Sequence, residues 1–85
     1  MTVKETMELK LAAAFPGAEI AVRDDSHLHQ GHAGARPEGE THFHVRIRAQ
    51  ELKGKSRVAG HRLVMEILRE ELDGPVHALA IDASA

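Results

Sequence analysis

The chain has 85 residues, no cysteine, two aromatic residues (Phe15 and Phe43) and a formal net charge of −2. That length allows one domain spanning 1–85, burying about 60–65% of its unfolded surface, too little for a deep substrate pocket. The missing thiols exclude a disulfide framework and an iron–sulfur cluster held by the chain's own sulfur, while the charge and the scarcity of rings argue against a general pull toward nucleic acid and against base stacking.

Thr2-Val3-Lys4-Glu5 fits a capping box, a hydroxyl followed three residues later by a carboxylate. Val3, Met7, Leu11 and Phe15 recur at helical spacing, and Pro16-Gly17 ends this first helix. Ala18 to Arg23 alternates, with Ile20 and Val22 on one side, and reads as a half-buried strand. From Asp24 to Glu40 the chain is rich in Gly, Ala and His and has no period, which predicts a long loop, functional or mobile. A second strand follows, with Phe43, Val45 and Ile47 facing one way and His42, His44, Arg46 and Arg48 the other. A second helix is predicted over Ser56 to Leu72, with an apolar stripe of Val64, Ile67, Leu68 and Leu72 and with Val58 and His61 on or near it. Asp73-Gly74-Pro75 stops it, and Val76 to Ile81 is a short third strand.

The order α-β-β-α-β predicts an α+β fold with a three-stranded mixed sheet. Strands one and two pair antiparallel, and a right-handed crossover lays strand three parallel to strand two. Both helices cover one face, and the other face, carrying His42 and His44, stays open to water. No apolar run approaches the ~20 residues that span a bilayer, and no signal peptide is apparent, so the cytoplasm is the expected compartment and no membrane partner is expected.

Seven histidines are the unusual feature of the composition. His27, His29 and His32 fall within six residues on the long loop. A closed zinc site normally takes four ligands, so such a cluster either donates a ligand to a metal held mostly by another molecule or is a solvated loop. His77, by alternation with Leu79 and Ile81, is expected at the edge of the core, as a rigid mounting for a ligand or as a satisfied core histidine. His61 is expected to pack against the sheet, and His42 and His44 to line a solvated strand face. Gly54-Lys55-Ser56 is not a phosphate loop, because Ala49 stands where that motif needs a glycine. Lys53, Lys55, Arg57 and Arg62 make a basic patch at the start of the second helix, suited to phosphates or an acidic surface, or simply solvated. No Ser/His/Asp grouping and no thiol nucleophile is present, which argues against an enzyme.

Four collinear segments carry a family resemblance: Glu40-Thr41-His42-Phe43; Gly54-Lys55-Ser56-Arg57-Val58 with His61-Arg62-Leu63-Val64; Glu70-Glu71-Leu72; and Val76-His77-Ala78-Leu79. Together with Asp24-Asp25-Ser26 they resemble the BolA family. The resemblance implies a fold like a class II KH domain and partnership, as a heterodimer, with a monothiol glutaredoxin. In such pairs a glutaredoxin cysteine and a glutathione thiolate hold one side of a 2Fe–2S cluster. The BolA-like chain then supplies His77 and a residue of the long loop, best matched by His29, with His27 and His32 as rivals. Alone, the chain is expected to hold no cofactor and to be a monomer or weak homodimer. The resemblance also carries a second role, as a DNA-binding regulator using Lys53, Lys55, Arg57 and Arg62. Gly60 stands where relatives often carry a basic residue, and is expected to thin that patch.

Overall fold

The computed structural model describes residues 2–25 and 41–85. Helix α1 spans Val3–Ala14, strand β1 Glu19–Asp24, strand β2 His42–Arg48, helix α2 Arg57–Ile67, helix α3 Arg69–Asp73 and strand β3 Ala78–Ser84, with a 3-10 turn at Gln50–Leu52. The sheet order is β1-β2-β3; β1 pairs antiparallel with β2, and β3 runs parallel to β2. This is the α+β class and the mixed three-stranded sheet expected from the sequence.

Local chemistry starts each helix. The Thr2 hydroxyl accepts the Glu5 N–H at 3.1 Å, and the Glu5 carboxylate accepts the Thr2 N–H at 3.0 Å, completing the capping box. That bond to the backbone holds the Glu5 carboxyl below its ordinary pKa. The next helix is capped by the Ser56 hydroxyl, which accepts the Ala59 N–H at 3.1 Å. Gly54, just before it, has φ 81°, a left-handed conformation that favours glycine.

Met7 and Leu11 of α1 and Phe15 just after it are buried in one core with Val22, Phe43, Val45 and Ile47 of the sheet and with Val64, Leu68 and Val76. Leu79, Ile81 and Ala83 pack partly buried against this core from β3. The alternate positions of the strands face away from it.

Three expectations about boundaries and faces are corrected. The second helix is two helices. Leu68, at φ −99° and ψ 18°, turns the chain between α2 and α3 and is itself fully buried. The turn lets α3 bring Glu71 to α1, where Lys10 Nζ donates to both Glu71 carboxylate oxygens at 3.0 and 2.8 Å. Those bonds raise the Lys10 pKa. Val58 is off the apolar stripe, 60% exposed, and the inward position of that turn is Gly60. Finally, the third strand starts at Ala78 and runs to Ser84, because the Val76 N–H is bonded to the Glu71 carbonyl and the β2 ladder continues to Arg48↔Ser84.

Candidate functional site

The chemistry-bearing side chains gather at the end of the sheet where β2 and β3 begin. His42 is the first residue of β2 and lies opposite Ala78, the first of β3. Thr41 precedes it, 1% exposed. The Thr41 carbonyl accepts the N–H groups of both His77 and Ala78, at 2.7 and 3.1 Å. Two successive donors aimed at one acceptor are incompatible with strand pleating, in which neighbouring residues alternate direction. His77 therefore does not share the inward face of Leu79 and Ile81, and the expectation of a partly buried His77 is corrected: it is exposed.

The His77 ring lies beside that of His42, with centroids 5.4 Å apart and planes tilted by 54°. His42 was expected on a solvated face, yet it is only 8% exposed, and its Nδ1 is 2.9 Å from the Thr41 hydroxyl. The alternation places it correctly on the face away from the core. What the period could not supply is the neighbouring His77 ring, which arrives from 35 residues away through the parallel β2–β3 register. His44, two residues along, is half-buried on the same face.

The β1 side of this sheet end is also fixed. The Asp25 N–H bonds the His42 carbonyl at 2.7 Å. The Asp25 carboxylate receives Arg23 Nε at 2.6 Å and Nη2 at 3.1 Å, which raises the Arg23 pKa. Asp25 and Thr41, the described residues flanking the 26–40 segment, thus both bond to the His42–His77 corner. His27, His29 and His32 lie outside the described residues. Among those described, no three His, Cys, Asp or Glu side chains come together as a metal cage. His61 is half-buried on α2, in keeping with a packing role.

The open face continues into charge. Arg48 donates to Asp82 at 3.2 and 3.0 Å, and chiefly for that reason the Asp82 carboxyl lies below the usual carboxylate range, helped by the charges of Arg48, Arg46 and His44.

Lys53, Lys55, Arg57 and Arg62 are exposed and form no ion pair among the described residues. The first turn of α2 holds no acidic residue. A depression of about 460 Å³ along this helix is lined by Arg62, Met65, Glu66, Arg69, Leu72 and Asp73, and within it Arg69 pairs with Glu66 at 3.3 Å. Gly60 is buried, and a Cβ there would meet Leu52 and Ala83 at 3.7 to 3.9 Å, so position 60 points inward and away from the exposed cations.

No helix of the described residues is long and apolar enough to cross a membrane. A Sinorhizobium protein from the region 5′ of cobS is 43% identical over 86 residues, covering 100% of this chain and 92% of its own length. Protein BOLA1, chloroplastic, of Arabidopsis thaliana is 44% identical over 77 residues, covering 88% of this chain; the chain spans about half that relative's length, 48%. The solved BolA domain of SufE1 from Arabidopsis thaliana superposes with a TM-score of 0.86 at 37% identity, covering 99% of this chain and 92% of that one. The family model described as BolA-like protein matches residues 11–85, and with these likenesses in sequence and in fold the chain belongs to the BolA-like family.

Proposed function

We propose that this chain is an adaptor that binds or hands on a 2Fe–2S cluster as a heterodimer with a monothiol glutaredoxin. The observation that carries the reading is His77: an imidazole exposed to a partner, mounted on a backbone held by two bonds to a buried threonine carbonyl. A neutral imidazole is a good ligand for iron, and an exposed one can reach a cluster that another molecule begins. The donor set fits that division of labour. The chain has no cysteine, and no three ligands meet among its described residues, so in this reading the thiolates are those of the partner's cysteine and of glutathione.

His29 is the second ligand in this reading, with His27 and His32 as rivals. His29 is four residues along the chain from Asp25, which is tied to the His42–His77 corner. Extended chain spans at most about 3.6 Å per residue, so the tether from Asp25 allows His27, His29 and His32 up to about 7, 14 and 25 Å from it. Imidazole in place of thiolate lowers the negative charge around the irons and raises the potential, as in Rieske centres. It also makes ligation sensitive to protonation. The occurrence of a closely similar BolA domain in a protein named SufE1 supports an iron–sulfur-related role. The cytoplasm remains the proposed compartment, although the BOLA1 relative is described as chloroplastic.

Co-expression with a monothiol glutaredoxin and purification with glutathione should give a coloured heterodimer with visible circular dichroism. His77→Ala, and His77→Ala combined with His29→Ala, should weaken and reshape that spectrum. A wild-type spectrum from the double variant would refute ligation by these residues.

A second reading, DNA binding, is favoured by Lys53, Lys55, Arg57 and Arg62, four exposed cations around the capped start of α2 with no ion pair among the described residues. Binding through them would weaken steeply with salt. Lys55→Glu with Arg57→Glu should abolish retardation of a promoter fragment; undiminished binding ends this reading.

A further inference from the structure

Thr41 and His42 hold His77 from two directions. The Thr41 carbonyl fixes the backbone by accepting the His77 and Ala78 N–H groups at 2.7 and 3.1 Å. The His42 ring flanks the imidazole itself, its centroid 5.4 Å away, within the range of aromatic pairs. His42 is in turn braced: it is largely buried, and its Nδ1 sits 2.9 Å from the Thr41 hydroxyl. An exposed side chain with no flank samples several rotamers and loses that freedom on binding. A ring held on one side loses less.

We propose that Thr41 and His42 are positioning residues for His77. They hold its imidazole at the sheet end before a metal centre arrives, much as hydrogen-bonded neighbours orient the ligands of other metal sites. The proposal rests on His77 being a ligand. It assigns His42 no metal bond of its own; its contribution is the ring face, and that of Thr41 is the hydroxyl and the carbonyl.

The test uses the chain co-expressed with a monothiol glutaredoxin, comparing wild type, His42→Ala, His42→Phe and His77→Ala. The rate of cluster loss to a chelator and the visible circular dichroism are read for the complex. The His77 ring-proton shifts and its NOEs to residue 42 are read by NMR for the chain alone. His42→Ala is expected to speed cluster loss on the order of 10-fold, the lower end of what removing such support costs. It should also move the His77 ring resonances of the chain alone. His42→Phe keeps a ring against His77 but has no nitrogen, and is expected to recover most of the retention. If His42→Ala holds the cluster as wild type does, the proposal is overturned. If His42→Phe fails as completely as His77→Ala, His42 is a ligand and the positioning role is likewise overturned. If His77→Ala itself retains a wild-type spectrum, it is the reading of His77 as a ligand that falls. Should His42→Ala not fold, Thr41→Val replaces it: removing only the hydroxyl brace should give a smaller increase in cluster loss, and no increase overturns the proposal.

Discussion

Replacing Gly60 by alanine should make the protein more stable, and the amount can be worked from its surroundings. Gly60 is the fourth residue of α2, with its N–H bonded to the Ser56 carbonyl at 3.0 Å. Glycine inside a helix costs about 0.8–1.0 kcal/mol relative to alanine. The new methyl would lie 3.7 Å from Leu52 Cδ2, 3.8 Å from the Ala83 carbonyl oxygen and 3.9 Å from the Ala83 Cβ, all ordinary van der Waals distances. No neighbour has to move, and burying the methyl adds up to roughly 0.8 kcal/mol. Allowing for the position in the first turn, where the propensity effect is smaller, the sum is about 1–1.5 kcal/mol. At ~4–8 °C per kcal/mol for a domain of this size, the melting temperature should rise by about 4–12 °C. Thermal unfolding followed by far-ultraviolet circular dichroism, with a urea titration to check that the m-value is unchanged, measures it. Gly60→Arg should do the opposite and destabilise by about 1–3 kcal/mol, because its longer side chain starts out between Leu52 and Ala83. A lower melting temperature for Gly60→Ala, or a Gly60→Arg variant as stable as Gly60→Ala, would refute the inward placement of this position.

Leu68→Ala should cost about 2–5 kcal/mol in urea denaturation, since Leu68 is fully buried at the α2–α3 turn, whereas Val58→Ala at an exposed site should change stability by less than about 0.5 kcal/mol. The Asp82 carboxyl, held below its ordinary pKa chiefly by Arg48, favours the folded state while ionised in the unfolded chain as well. That contribution is complete above the unfolded pKa near ~3.9 and is lost as pH falls through the lower folded value. Asp82→Asn should therefore flatten the acid side of the stability–pH curve below about pH 4 and leave the neutral side parallel to wild type; an acid limb identical to wild type would contradict it. Gly74→Ala should lower the melting temperature, because its Cβ would come within 3.3 Å of the Glu70 carbonyl oxygen, a backbone atom with little room to give.

Much of this architecture is legible in the chain. The capping box at Thr2, the Met7-Leu11-Phe15 stripe and the alternation of Phe43, Val45 and Ile47 are local patterns, and each forms the element its period dictates. The antiparallel β1–β2 pair follows from the adjacency of consecutive strands, and the parallel β2–β3 pair from the crossover through a helix. The residues of the candidate site were named as residue types but not as an arrangement. Alternation counted from Leu79 predicts His77 inward; it lies outward because the Thr41 carbonyl takes two successive N–H groups. Alternation predicts His42 in water; it is largely buried, with the ring of His77, just before β3, beside it.

The sequence by itself determined which segments become helix and strand, because those choices depend on propensities, caps and hydrophobic periods that act within a few residues. Tertiary structure alone decided the bend at Leu68, the inward turn of Gly60 and the meeting of His42 with His77. Each depends on which atoms the β2–β3 register and the packing of α2 on β3 bring together from distant parts of the chain, and no local period records that.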